Sequence, residues 1–315
     1  MSGRIVVVGS LNADLVVRVE RFPAPGETVA GRDFSLFPGG KGANQACAVA
    51  RLGGRACMIG AVGDDAYGTL LTASLAGAGV DTSGIRRREA TPTGVAVITL
   101  DASGQNQIVL AAGANGALAP EDVAGQERLF AGAAAVLVQQ EVPLATVESA
   151  MALGRRAGAR VVLDPAPAVA GSEVLLPLAD YVTPNESELA ALAGAEGPAR
   201  SLEEAARQSR LLLSRGARCV VAKLGARGAH LVGADRETTW PAAPVAAVDT
   251  TAAGDVWNGA FAVALAEGRS ENEAGAFACA AAALSVTRPG AQPSMPTRAE
   301  LEAWNRDGHP TRRNP

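Results

Sequence analysis

Short apolar runs rich in β-branched residues alternate with Ala- and Leu-rich stretches along most of the chain. RIVVVGS, AAVLVQQE, ARVVLDPAP, DYVTPNE and RCVVAKLG each read as a buried strand ending in polar or turn residues. Between them, ATVESAMALGRRAG and SLEEAARQSRLLLSRG carry apolar residues at helical intervals. Continuous apolar strands separated by amphipathic helices predict a mostly parallel sheet covered on both faces, an α/β fold of three layers. Ligands of such sheets gather at the carboxyl ends of the strands. Residues 139–141, Asp164, residues 185–188 and residues 223–228 all fall at such ends.

Two regions break the rhythm. Residues 11–38 and 92–111 contain the alternating runs ADLVVRVE, ETVAGRDFSLF, TGVAVITL and NQIVLAAG with no helix between them. They predict antiparallel strands that form a small sheet of their own, built from two insertions. Such a sheet has to cover one face, over a site or against a second copy of the chain. Residues 1–10, 39–91 and 112–305 then make the α/β domain, and residues 306–315 a frayed tail.

Composition narrows the classes. The 315 residues can bury a full core, and no uninterrupted apolar stretch is long enough to cross a bilayer. The opening MSGRIVVVGSLNADLVVRV alternates and carries Asn12 and Asp14, unlike a secretory signal. Lys and Arg total 28 against 32 Asp and Glu, which gives no electrostatic reason to bind nucleic acid or anionic membrane. The four cysteines lack a Cys-x-x-Cys and the two histidines stand far apart, as in a soluble cytoplasmic protein with free thiols and no structural zinc. With so few histidines, a general base is expected to be a carboxylate.

The segment most informative about chemistry is AAVDTTAAGDVWNGAFAVALAEG, residues 246–268. Small residues run up to Gly254, and apolar spacing becomes helical from Asp255. Ala252, Ala253 and Gly254 are thus expected at a helix N-terminus, with N–H groups open to an anion or to charge on a transferred phosphoryl group. Asp255 beside them could take a proton from an attacking hydroxyl, or it could cap the helix. LFPGGKGANQACAVARLG, residues 36–53, resembles a phosphate loop, but Gly42 follows Lys41 and the earlier glycine of that pattern is missing. Gly39 and Gly40 read as hinges of the insertion, and Asn44 and Gln45 as the start of a helix, with Asn44 a possible cap. Asn185, Glu186 and Glu188 open another helix, where a solvated first turn would also explain the acids. Gly225 and Gly228 make a tight loop that suits a close nucleotide or a β-hairpin.

Taken together and in order, these segments resemble the ribokinase branch of the PfkB family of carbohydrate kinases over nearly the whole chain. GGKGANQACAVARLG is similar to the family's N-terminal signature and DTTAAGD to its C-terminal one. LNAD, AAGAN, QQE, DPAPA, VTPNESE, LGARG and VTRPGAQPSMP match in sequence order. The resemblance implies a ribokinase-like fold with a β lid, a homodimer formed through the lids, and transfer of the ATP γ-phosphoryl group to the 5-hydroxyl of D-ribose. It implies Asp255 as catalytic base, with Ala252, Ala253 and Gly254 as anion hole. Asn12, Ala13, Asp14, Gly40, Lys41, Gly42, Ala43, Asn44 and Glu141 match positions around the sugar. Asn185 and Glu188 match the region handling phosphate and Mg2+ or another divalent cation. Lys223, Leu224, Gly225, Ala226, Arg227 and Gly228 match the nucleotide loop, with Cys279 near the adenine. A K+ activator would sit by Asp249, Thr251, Ser285, Arg288, Gly290 and Ser294, where Pro289 stiffens the turn.

The chain also departs from the family pattern. Trp257 replaces a common Phe, Cys279 a common His and Lys223 a common Thr. The last two bear on nucleotide use and are not expected to touch the reacting atoms. Rival readings are a PfkB kinase for deoxyribose, a nucleoside or a ketose, and a silent sugar-binding protein on the same fold.

Overall fold

The computed structural model describes residues 3–306, so the expected tail lies outside the described residues beyond Arg306. β1 (Arg4–Val8) is buried on both faces, with Ile5 and Val7 in one core and Val6 and Val8 in the other. Period-two side chains in a wholly apolar strand produce this double burial. The chain then leaves the main body through β2 (Asn12–Val19) and β3 (Gly31–Gly39). It returns with α1 (Lys41–Arg51), β4 (Arg55–Gly63), α2 (Ala66–Gly77) and β5 (Asp81–Arg88). A second excursion, β6 (Gly94–Leu100) and β7 (Asn106–Ala111), precedes the short helices α3 (Pro120–Ala124) and α4 (Glu127–Phe130).

The second half continues the alternation through β8 (Ala133–Val138), α5 (Leu144–Arg156), β9 (Arg160–Leu163), β10 (Tyr181–Val182), α6 (Glu186–Ala193) and α7 (Leu202–Ser214). β11 (Cys219–Lys223), β12 (Ala229–Gly233) and β13 (Glu237–Trp240) follow, then α8 (Ala253–Ala266), α9 (Glu271–Ser285) and α10 (Arg298–Arg306). The nine-stranded sheet has the order β13-β12-β11-β10-β9-β8-β1-β4-β5. It is parallel from β5 to β11, and β12 and β13 add antiparallel strands at one edge. One core packs α1, α2, α8, α9 and α10 on one face, and the other packs α3 to α7 on the opposite face. The expected three layers are present.

β2, β3, β6 and β7 pair as a separate sheet of order β3-β2-β6-β7. The sequence reading made it wholly antiparallel, but β2 and β6 run parallel. Alternation identifies a strand without fixing its direction, and β2 and β6 are contributed by separate excursions. The sequence reading also named no strand at β4, β5 or β13. The Gly225–Gly228 loop joins β11 to β12 as a hairpin, the structural option raised for those glycines.

Candidate active site

Sheet order reverses at β1, which has β4 on one side and β8 on the other. The loops that leave β1 and β8 therefore diverge, and a crevice opens at their carboxyl ends. Ser10 and Glu141 bridge it, with Ser10 Oγ donating to Glu141 Oε2 at 2.5 Å. The same carboxylate oxygen accepts from the Lys41 main-chain N–H at 3.1 Å, which ties in the first turn of α1. Gly40 turns the chain into that helix with φ of 89°, a region open to glycine at little cost. α1 thus begins at Lys41, and Asn44 lies inside its first turn and does not cap it.

α1 packs beside α8 so closely that a Cβ on Gly259 would lie 2.8 Å from Ala48 Cβ. This contact sets Asn44 and Gln45 against Asp255. Asn44 Nδ2 donates to Asp255 Oδ2 at 3.1 Å, and Gln45 Nε2 donates to Asp255 Oδ1 at 3.1 Å. The Asp255 carboxylate is therefore held by side chains from another helix, and no side-chain cap forms at the start of α8. Burial pushes the Asp255 carboxyl up to about 6, against the pull of Lys41 and the two amides. Asp14, on β2, reaches about 7 through burial and through repulsion from Glu141 and Asp255. Burial opposes the charge on Lys41, but Asp255, Asp164, Glu141 and Glu188 together hold its ammonium above the usual range.

The N-terminus of α8 differs in detail from the expectation. Ala252 takes a left-handed conformation at φ of 59° and precedes the helix. The Ala253 N–H donates to Thr250 O at 3.2 Å, and Val256 N–H is the first to reach back, to Ala252 O at 2.9 Å. The N–H groups of Gly254 and Asp255 thus precede the intrahelical ladder, where they suit an anion.

A cavity of about 840 Å³ opens in front of them. Lys41, Asp164, Glu188, Lys223 and Asp255 line its charged end, and Pro244, Val245, Trp257, Cys279 and Val286 its apolar end. Asn185, Gly225, Ala226, Gly228 and residues 252–254 also line it. Leu224 is a core residue, and the Arg227 guanidinium turns aside to Glu186 and Ala199 O. Ala13 and Ala43, expected near the sugar, are buried. Gly42 meets main chain itself, because a Cβ there would stand 2.7 Å from the Gly9 carbonyl carbon. Asn185 and Glu188 form a reciprocal capping box at 2.8 Å on α6, with Glu188 buried and its carboxyl raised by that burial although Lys223 draws it down. A solvated turn describes Glu186 but not Glu188.

Several site residues are ones the sequence reading did not assign. Asp164 accepts from Lys223 Nζ at 2.9 Å and from Gln45 Nε2 at 2.9 Å. Gln139 Nε2 fixes the Gln45 carbonyl oxygen at 2.7 Å. Asn115 holds Asn12 Oδ1 at 2.8 Å and the Leu11 carbonyl at 3.0 Å. The signal was present, as single polar residues within apolar runs or at strand ends. The Lys223 ammonium lies 3.4 Å from where a Cβ on Gly254 would be, beside the first turn of α8. Cys279 sits at the apolar end and accepts from Trp257 Nε1 at 3.4 Å, while Trp257 stacks on Phe261 at 4.8 Å. All four cysteines are free and buried.

Asp249 joins two loops, accepting from Thr251 N–H at 2.8 Å and from Gly290 N–H at 2.8 Å. Val248 N–H bonds Val286 O at 2.7 Å, which brings the turn after Ser285 alongside. Arg288 instead directs its guanidinium to Glu300 at 2.9 Å, and the Ser294 hydroxyl donates to Ala291 O at 2.8 Å. Among the described residues no group of three or more His, Cys, Asp or Glu forms a metal cluster, and no helix is long and apolar enough to cross a membrane.

Residues 2–298 match the pfkB family of carbohydrate kinases. The chain is 41% identical over 300 residues to the ribokinase of Haemophilus influenzae, covering 95% of this chain and 97% of that one. The ribokinase structure from Thermotoga maritima superposes with a TM-score of 0.88 at 39% identity, over 97% of this chain and all 100% of that chain. The Arabidopsis thaliana ribokinase, solved with ribose and ATP, gives a TM-score of 0.86 at 36% identity, over 96% of this chain and 98% of that chain. The chain belongs to the pfkB family of carbohydrate kinases.

Proposed function

We propose that the protein is a ribokinase, transferring the γ-phosphoryl group of ATP to the 5-hydroxyl of D-ribose. The observation that carries this reading is the seating of Asp255: a buried carboxylate held by Asn44 and Gln45, directly under the open amides of Gly254 and its own residue. In the reaction Asp255 accepts the proton of the sugar hydroxyl. The freed oxygen pair forms the new P–O bond as the bond to the ADP oxygen breaks. The amides of Gly254 and Asp255 donate to charge that develops on the transferring group. The apolar end of the cavity suits an adenine ring, and the charged end suits phosphates.

On the sugar side, Asn12, Asp14, Gly40, Lys41, Asn44 and Glu141 surround the space next to Asp255. Several carboxylates and amides can take ribose hydroxyls in a fixed pattern, and such a site rejects a sugar lacking one of them. Asn115 and the glycine turn at Gly40 hold this set in register. Residues 11–38 and 92–111 act as the cover, with Gly39 and Gly40 as hinge.

Glu188 and the phosphates would hold Mg2+, since that ion is commonly bound by one or two carboxylates plus substrate phosphates. When bound, the ion neutralises charge on the β- and γ-phosphates. The Asp249 turn fits a monovalent cation such as K+ because its donors are oxygens and its two loops are already tied together. Its role would be to fix the anion-hole loop. Activity in the cytoplasm as a homodimer through the lids completes the reading, supported by exposed Phe34, Val97 and Val109 on the lid.

A panel of D-ribose, 2-deoxyribose, fructose and adenosine in an ADP-release assay, in potassium and again in sodium, tests this. Ribose turnover at least tenfold above the others, and lower in sodium, is the expected result. Stronger turnover of another acceptor overturns the substrate, and indifference to the cation swap removes the K+ site.

A further inference from the structure

Lys223 ends β11 at the charged end of the cavity. Its main-chain N–H donates to Pro184 O at 2.8 Å, and its backbone bridges to Asn185, so the root of the side chain is fixed. The ammonium lies 2.9 Å from Asp164 Oδ1, with the two side chains only 13% and 3% exposed. A buried ion pair formed for stability alone is a poor investment, because desolvation cancels most of the attraction. This one is also open on one side. Lys223 lines the cavity, and its Nζ is 3.4 Å from the point that a Cβ on Gly254 would occupy. It therefore sits beside the first turn of α8, on the wall of the cavity that the Gly254 and Asp255 positions also line.

Asp164 connects this lysine to the base. One of its oxygens holds Lys223, and the other accepts from Gln45 Nε2 at 2.9 Å. The same Nε2 reaches Asp255 Oδ1 at 3.1 Å, and Gln139 fixes the other end of the amide. The lysine and the base thus share one rigid scaffold. We propose that Lys223 is a catalytic residue of phosphoryl transfer, its ammonium contacting the transferring phosphoryl oxygens beside the Gly254 and Asp255 amides while Asp164 holds it in position. This rests on the kinase reading and deepens it. A compact ammonium acts on phosphate as a fixed point charge, and preorganised charge of this kind lowers the barrier without reorganising at the moment of transfer.

A double-mutant cycle tests the proposal. Wild type, Lys223→Met, Asp164→Asn and the double variant are compared for kcat and for KM of ATP at saturating sugar. Calorimetry measures ATP and adenosine binding to each. Lys223→Met is expected to lower kcat by about 10²-fold or more, to weaken ATP and to leave adenosine binding unchanged. A smaller but still measurable loss is expected in the Asp164→Asn background, because the lysine is then no longer held in position. Lys223→Thr, which keeps one neutral donor, should recover part of the loss, and it takes the place of the Met variant should that one fail to fold. If removing Lys223 costs nothing in the Asp164→Asn background, the lysine only neutralises Asp164 and the proposal falls. Equal losses of ATP and adenosine binding also overturn it. Transfer to a different sugar with the Lys223 loss intact overturns only the acceptor, whereas a wild type that transfers to no acceptor overturns the kinase reading and this proposal together.

Discussion

Asp255 is a carboxylate withdrawn from water yet surrounded by donors, and its chemistry follows from that balance. Burial raises its proton affinity to about 6, while Lys41, Gln45 and Asn44 keep it from rising further. A base acts in its ionised form, so kcat/KM is expected to fall as pH drops through about 6. Gln45→Leu removes the donor shared by Asp255 and Asp164. A hydrogen bond to a charged group is worth about 1.5–3 kcal/mol, so the acidic limb should move up by about one pH unit or more. A pH–rate profile checks this, and an unmoved limb would show that the amide does not support the ionised base. The stability term has the opposite sense. The folded carboxyl binds its proton more tightly than the unfolded one, so its contribution is complete at low pH. That contribution is lost as pH rises from the ordinary aspartate value of 3.8 through about 6. Sequence could offer Asp255 as base or as cap. What decides between them is a pair of amides 211 and 210 residues away, which no local pattern encodes.

At the scale of elements, two helix N-termini meet: α1 brings Asn44 and Gln45, and α8 brings Asp255. α8 was legible because small residues give way abruptly to helical apolar spacing. The start of α1 was less so, since Asn44 looks like a cap until a tertiary partner claims it. Gly42 carries a prediction of its own. A Cβ there would stand 2.7 Å from both the Gly9 carbonyl carbon and the Ser10 nitrogen, so α1 would have to shift away from β1. Overpacking of this kind costs about 1–3 kcal/mol. Gly42→Ala should lower the urea midpoint accordingly and weaken the sugar more than the nucleotide, because Lys41 and Asn44 move with the turn. Wild-type stability together with unchanged sugar affinity would contradict this. Strands β4 and β5 escaped the sequence reading for a physical reason. β4 is buried on both faces with several small residues, and β5 carries three arginines, so neither shows clean alternation.

At the scale of the molecule, the strand order places the candidate site, and β2, β3, β6 and β7 form a sheet of their own. The main sheet, its two helical layers and its carboxyl-end chemistry were legible because parallel strands buried on both faces leave long apolar runs. The lid was legible as strands but not in its pairing. Register puts Phe37, Asp14, Ala96 and Leu110 in one cross-strand row, and Leu36, Leu15, Val97 and Val109 in the next, on the opposite face. Asp14 faces Glu141 and Asp255, so Val97 and Val109 face away from them. They are 43% and 70% exposed, and Phe34, on the same face, is 62% exposed. An exposed apolar face of this kind calls for a partner. Phe34→Lys together with Val109→Lys should convert a dimer to a monomer in sedimentation velocity and raise the KM for sugar more than that for ATP. A wild type that sediments as a monomer would contradict the lid interface.

Phosphorus-31 NMR of the reaction with ATP and D-ribose follows transfer to the 5-hydroxyl with Asp255 as base. One sugar product is expected, phosphorylated at the 5-hydroxyl, formed in step with ADP by the wild type and slowed by about 10²-fold or more in Asp255→Asn. Phosphate on another hydroxyl, ADP formation without a sugar phosphate, or an Asp255→Asn enzyme as fast as wild type would contradict it.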